Sequence, residues 1–546
     1  MGAVTSYLVP NKRKQEGPKR PSPPRSYPYF VSSPVSSQHR VFIRSVCMLL
    51  LEQCLFYENR RNEPPLRLLS PKELCEQIDY TLGATGTGQY QLLTLIRRIL
   101  YYSPKFAHPY YMYQLLAGLD PYSIIGSFVT SIITSNMLTY RDAPVYYMME
   151  EEISRQLCDL AGFADNMRDA IFPPGNAMAN ILSIVMARHD KYPECKTKGT
   201  MHLPPFAIFV SQDCHCSYLE GAILTGIGSD NVIYVKTNTK GKMNTHHLIT
   251  CIEDAIKRGQ EPLMVGATSG TNAFGAFDPL MDIAKICKHY DIWLHSDGAL
   301  GGGVIFSKEQ RSARLAGLSL VDSFVCDFHK IGSANETCTV LLTRHPKIFK
   351  EAFSSGSPMV NFSSYNDDDD DNDDELSDFF HRERDSYEKY MEYTRRADAV
   401  KLFMMWKGLD GLAANVDDAY ARKQFLMDEL KRRQKLQGRF VPLMDDFECP
   451  MISFYYIPPH LNRIGLDKKS PGFKERLNNH TSLLLAELIK EGIAVLTIQT
   501  IRQPIDSHGA FLKVPNEVPD EYSKGSEEEP PELNEINSLG MFLQDA

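Results

Sequence analysis

Between residue 141 and about residue 408, short apolar runs alternate with longer segments of helical spacing. The runs are Phe206–Val210, Val232–Val235, Leu263–Val265, Ile292–Leu294, Ser323–Val325 and Val340–Leu342. Short apolar runs of this kind read as buried strands, since a strand covered on both faces shows no polar side. Strands alternating with helices predict an α/β fold with a mostly parallel central sheet covered by helices. Such a sheet offers ligand sites beyond the carboxyl ends of its strands.

The flanks differ from this middle. From about residue 40 to 115 the apolar spacing is helical, as in Leu92, Leu93, Leu95, Ile96, Ile99 and Leu100, which predicts a helical N-terminal segment over 39–140. The longest apolar run, Val46–Phe56, contains Glu52 and Gln53 and is too short to span a bilayer, so it is expected to be a core helix. Residues 1–38 are rich in Pro, Ser, Lys and Arg and predict a disordered tail. A large domain is expected over 141–408, followed by a smaller C-terminal α+β domain over 409–546 with an acidic insertion at about 518–532. The run Asp367–Glu375 reads as a solvated loop, because it lacks the loop-closing glycine and ligand rhythm of a calcium site.

Composition narrows the class. A chain of 546 residues exceeds a single core, and its net charge of −9 argues against nucleic acid as the main partner. The 12 cysteines have no framework spacing, so reduced thiols in a cytoplasmic setting are expected. Met1-Gly2 with Ser6 fits the short N-myristoylation pattern, against the plainer reading of an unmodified tail.

The chemistry concentrates between His295 and Lys330. His295-Ser296-Asp297-Gly298-Ala299 follows the apolar run at 292–294, and Asp327-Phe328-His329-Lys330 follows the run at 323–325. A buried carboxylate followed by a His-Lys pair suits pyridoxal 5'-phosphate, with Lys330 forming a Schiff base and Asp297 keeping the ring nitrogen protonated. Other elements fall at neighbouring strand ends. Pro173-Pro174-Gly175-Asn176-Ala177 opens a helix with apolar positions at Met178, Ile181, Leu182, Val185 and Met186, and its free N–H groups suit a phosphate. His215 follows the run at 206–210 and is placed to stack on a ring. Adjacent residues on an extended segment point to opposite faces, which sets His215 apart from Cys214 and Cys216, and further ligands are lacking, so no metal is expected. Thr268-Ser269-Gly270-Thr271 brings hydroxyls to the same edge, and Gly301-Gly302-Gly303 permits close backbone approach. Singly, each of these is more often a turn or a cap.

In this order, these residues resemble the group II pyridoxal-phosphate-dependent amino-acid decarboxylases, and within them animal glutamate decarboxylase and cysteine sulfinate decarboxylase. The likeness runs from about residue 108 to 345, through Thr134–Tyr140, Ala143-Pro144-Val145, Gly226-Ile227-Gly228 and Gly275–Pro279, and resumes at Val400–Trp406 and Tyr456–Pro458. The resemblance implies the type I fold of the pyridoxal-phosphate-dependent transferases and a homodimer with its active site at the interface. It also implies α-decarboxylation of an acidic amino acid: glutamate, giving 4-aminobutanoate, or cysteine sulfinate or aspartate. On that reading Lys330 and His215 are catalytic, and Asp297, Ala299, His215, Gly175, Asn176, Ala177, Thr271 and His329 bind the cofactor. Asn136 would line the substrate pocket, and Asn136-Met137 looks more like the glutamate enzyme.

The chain also departs from the family. Asp327-Phe328 stands where Asn-Pro is usual, and a carboxylate facing a phosphate would be repulsive. Asn272 replaces a usual threonine. The loop that normally carries a proton-donating tyrosine is the Asp-rich stretch, with Tyr365 nearby. Leu512 stands where an arginine grips the distal carboxylate in the glutamate enzymes, leaving Lys513, one position away, as a candidate substitute. These departures keep two alternatives open: a decarboxylase of another amino acid, and a catalytically weak or inactive member with a regulatory or binding role.

Overall fold

The computed structural model describes residues 37–55, 62–113, 120–133, 136–354, 384–385, 387–392, 394–408, 411–432, 439–458, 471–502 and 535–542. The expectations for the N-terminal tail, Gly2, Tyr365, the Asp367–Glu375 run, Leu512, Lys513 and the acidic insertion fall outside the described residues.

Seven strands form the central sheet: β1 (Asp169–Ile171), β2 (Phe206–Ser211), β3 (Val232–Val235), β4 (Glu261–Thr268), β5 (Trp293–Gly298), β6 (Ser323–Asp327) and β7 (Thr339–Thr343). Their order is β1-β7-β6-β5-β4-β2-β3. Strands β3, β2, β4, β5 and β6 run parallel, and β7 is antiparallel to both of its neighbours. The sheet separates two cores. Phe209, Val265, Leu294 and Phe324 face the helices Thr245–Lys257 and Leu280–Tyr290. Ile208, Val210, Met264, Trp293 and Val325 face Asn176–Lys191 and Ser217–Leu224. A second sheet, of β8 (Phe440–Pro442), β9 (Met451–Tyr456), β10 (Thr497–Arg502) and β11 (Glu535–Phe542), is antiparallel in the order β10-β11-β9-β8. Among the described residues no helix is long and apolar enough to cross a membrane.

The sheet extends beyond the apolar runs where polar residues find partners. β5 continues past Leu294 through His295, Ser296 and Asp297, all buried. β1 has no long apolar run and owes its strand conformation to antiparallel pairing with β7. The apolar run that begins at Val46 does not form a core helix. The helix Ser37–Leu50 lies at the surface against Gln89–Tyr102, with Val41, Ile43 and Met48 exposed and only Leu49 buried among its described side chains. Apolar spacing makes the helix amphipathic, but burial needs a partner surface, and among the described residues this helix has little of one.

A buried cation fixes the connection from β6 to β7. Lys401, fully buried in the helix Ala399–Gly408, lies 2.8 Å from Asp398 Oδ1 and donates to the Thr337 carbonyl at 2.7 Å. Removing one partner of a buried pair strands the other charge. Lys401→Met is therefore expected to lower the unfolding free energy by about 3 kcal/mol, read from the denaturant midpoint. An unchanged midpoint would refute this role for the pair.

Candidate active site

The strand ends expected to carry chemistry meet at one edge of the sheet. Asp297 pairs in register with Thr268 of β4 on one side and Val325 of β6 on the other. The segment after β2 brings His215, the turn after β4 brings Thr271, and the turn after β6 brings His329 and Lys330. Because β7 runs antiparallel, its first residue, Thr339, returns to the same edge beside Asp327.

Asp297 is almost fully buried and receives three hydrogen bonds. Asn180 donates to its Oδ2 at 2.8 Å, Asn176 to Oδ2 at 3.2 Å, and the Ala299 N–H to Oδ1 at 3.0 Å. Burial alone would push the carboxyl pKa up. The hydrogen bonds from Asn180 and Ala299, with His295 and His215 close by, outweigh it and hold Asp297 below the usual carboxylate range. The group therefore stays anionic, as a partner for a protonated ring nitrogen must. Burial pushes the His295 imidazole down.

Asn180 and the node it forms had not been expected from the sequence. The apolar positions of the helix Asn176–Lys191 suggested an apolar buried face, yet Asn176, Asn180 and Ser183 are buried while Met178 and Val185 are only half-buried. Asn176 and Asn180 are four residues apart, so both face Asp297. That i, i+4 pair of asparagines was the available signal. The Asn176 side chain thus serves Asp297, not a ligand, through its amide nitrogen.

Lys330 sits 3.0 Å from Asp327 Oδ2, and Thr339 donates to Asp327 Oδ1 at 2.6 Å. Asp327 is turned to the Lys330 ammonium. His329 accepts the Cys338 N–H on Nδ1 at 3.2 Å, which leaves Nε2 to carry its proton, 3.8 Å from Asp327 Oδ2. Burial pushes the His329 pKa down, against the opposing effect of Asp327. Thr271 is buried and its hydroxyl accepts the Ala276 N–H at 3.1 Å, which closes the turn after β4.

A model of the pyridoxal-dependent decarboxylase conserved domain matches residues 71–457. The chain belongs to that family. Human cysteine sulfinic acid decarboxylase is 32% identical over 490 residues, spanning 89% of this chain and 93% of the relative. Human acidic amino acid decarboxylase GADL1 is 32% identical over 468 residues, 85% of each chain. The crystal structure of mouse CSAD superposes with a TM-score of 0.79 at 29% identity, covering 94% of this chain and 95% of that one. The protein is therefore a pyridoxal-phosphate-dependent amino-acid decarboxylase with the fold of that family.

The pocket residues suit that cofactor. Gly175 precedes the helix at φ 132° and ψ 166°, with no side-chain cap, and a Cβ built there meets nothing within 4 Å. Open space thus lies before a helix start whose first N–H groups have no intrahelical acceptor, which is a phosphate-binding arrangement. Asn176 Oδ1 and Thr268 Oγ1 are buried without a hydrogen-bond partner, so polar atoms on both sides of Asp297 await a ligand. Asn136 Oδ1 is likewise buried and without a partner. Gly175→Ala would force a side chain into a backbone region that only glycine readily occupies, at roughly 1–3 kcal/mol, and fill the cradle. It is expected to weaken pyridoxal phosphate binding in a fluorescence titration. Unchanged affinity would remove the cradle from the site.

Proposed function

We propose that this chain decarboxylates an acidic amino acid at Cα, with cysteine sulfinate, aspartate and glutamate as the candidate substrates. The reading rests on one observation: a hydrogen-bonded, anionic Asp297 and the amine of Lys330 stand at the ends of adjacent parallel strands. Substrate class follows the relatives, whose names specify cysteine sulfinic acid and acidic amino acids.

When bound, the cofactor supplies a protonated ring that accepts the electron pair left at Cα as CO2 departs. Lys330 would hold the cofactor through its side-chain amine. Asp297 holds the ring-nitrogen proton. His215 and Ala299 would hold the ring between them. The Gly175–Ala177 backbone and His329 hold the phosphate, with Thr271 at the edge of the pocket. Asn136 would line the substrate pocket, and Lys513, outside the described residues, remains the candidate for the distal acidic group.

The chain acts as a homodimer on this reading. Support comes from the N-terminal helices, where Val41, Ile43, Met48, Tyr90 and Ile99 are exposed in a single chain and none of the described residues of Gln89–Tyr102 is buried. A second copy is the surface that such faces lack. Cytoplasmic action fits the free thiols of all the described cysteines.

The Asp327–Lys330 ion pair favours one further reading, a family member with weakened cofactor capture. An amine attacks an aldehyde only in its neutral form, and neutral Lys330 would leave the buried Asp327 carboxylate without its cation.

Purified protein is expected to show the visible absorption of lysine-bound pyridoxal phosphate, and Lys330→Ala to abolish it; a colourless reconstituted protein would sink the enzymatic reading. Carbon dioxide release from cysteine sulfinate, aspartate, glutamate and aromatic amino acids assigns the substrate, and turnover of the aromatic set alone would exclude the acidic class. Asp327→Asn is expected to tighten cofactor retention in dialysis. No change in retention would exclude the weakened-capture reading.

A further inference from the structure

Behind the candidate ring-facing groups runs an unbroken line of buried hydrogen bonds. Trp293 Nε1 donates to Ser323 Oγ at 2.9 Å, and Ser323 Oγ lies 2.8 Å from His295 Nδ1. His295 Nε2 lies 2.9 Å from Asn180 Oδ1. Asn180 Nδ2 reaches Asp297 Oδ2 and Ser217 Oγ, each at 2.8 Å. Ser217 Oγ then lies 2.9 Å from His215 Nδ1, which also receives the Ser217 N–H at 3.2 Å. Ser323, His295, Asn180 and Ser217 are fully buried.

The donors in this line can be ordered in one way. A carboxylate only accepts, so Asn180 turns its amide nitrogen to Asp297 and its carbonyl to His295 Nε2, which must donate; Nδ1 of neutral His295 is left to accept the hydroxyl hydrogen of Ser323, whose Oγ accepts from Trp293. Neutral His295 then carries its proton on Nε2 and gives it to the Asn180 carbonyl. Both amide hydrogens of Asn180 are left for Asp297 and Ser217. The flipped amide would set an oxygen against the Asp297 carboxylate, which is repulsive. Ser217, having accepted from Asn180, points its hydrogen at His215 Nδ1. That nitrogen is then an acceptor of two hydrogen bonds, and the ring proton of neutral His215 resides on Nε2.

We propose that Asn180 is a positioning residue which, through one amide oriented by His295, both donates a hydrogen bond to the Asp297 carboxylate and, by way of Ser217, sets the His215 tautomer. His215 then presents an N–H donor, not an acceptor, to whatever lies over the cofactor ring. The proposal rests on the pocket reading above and adds the direction of the proton at His215.

Selective ¹⁵N-histidine labelling of the full chain, with the His215 signal assigned through His215→Gln, tests this in cofactor-free protein. The wild type is expected to show neutral His215 with its proton on Nε2. Asn180→Leu is expected to give a mixture of tautomers and to weaken pyridoxal phosphate binding about tenfold or more, since it strips a donor from a buried carboxylate. His295→Leu should mimic it, while His295→Gln, whose amide can still donate to Asn180, should keep the Nε2 tautomer. This second pair carries the test if Asn180→Leu does not fold. A proton on Nδ1 in the wild type, or an unchanged tautomer in both leucine variants, overturns the proposal. Failure of the pocket reading shows separately, as a wild type that takes up no pyridoxal phosphate while the tautomer result stands.

Discussion

A carboxylate taken out of water is the constraint on which this fold is organised. An ion the size of Asp297 loses several kcal/mol of hydration on burial, and a protein keeps it charged only by replacing the lost water with fixed donors. Asn180, Asn176 and the Ala299 N–H are those donors, and they come from a helix start and a strand end that the parallel sheet brings together. The helix must therefore present a polar face to the sheet at its first turns and an apolar one further on. Leu182 and Met186 provide the latter and pack into the core on that side.

Two buried carboxylates stand at the same edge with opposite surroundings. Asp297 is met by neutral amides and keeps its charge for a ligand. Asp327 is met by the Lys330 ammonium and the Thr339 hydroxyl, so its charge is already matched within the chain. The first environment invites a cation; the second competes for the amine on which the chemistry depends. Role follows from partners here, as the residue type is the same.

The close backbone approach around the site follows the same logic. Gly301 donates its N–H to the Ser269 carbonyl at 3.0 Å, and a Cβ at Gly301 would collide with that oxygen. The turn after β4 and the turn after β5 are thereby locked together, next to the pairing of Thr268 with Asp297. Ser269 and Ser296 hydroxyls, 2.9 Å apart, close the layer beneath.

Much of this was legible from the chain alone. Alternating apolar runs gave away the α/β architecture and the strands at 206, 232, 263, 292, 323 and 340, because a strand buried on both faces must be apolar throughout. Residues with distinctive chemistry at strand ends, Asp297, His215, His329 and Lys330, could be singled out for the same edge by topology. Three features depended on tertiary structure. Asn180 reads as an ordinary polar position in an apolar helix until folding brings it to a carboxylate 117 residues away. Asp327 reads as a threat to a phosphate until its side chain is seen to turn toward the lysine three residues on. The run Val46–Phe56 reads as a core helix until the helix Ser37–Leu50 is seen at the surface of the described residues, with only Leu49 buried among its described side chains. Periodicity records what a segment must bury or form locally. Which partner satisfies a buried charge is set by contacts between distant segments, and no local pattern encodes them.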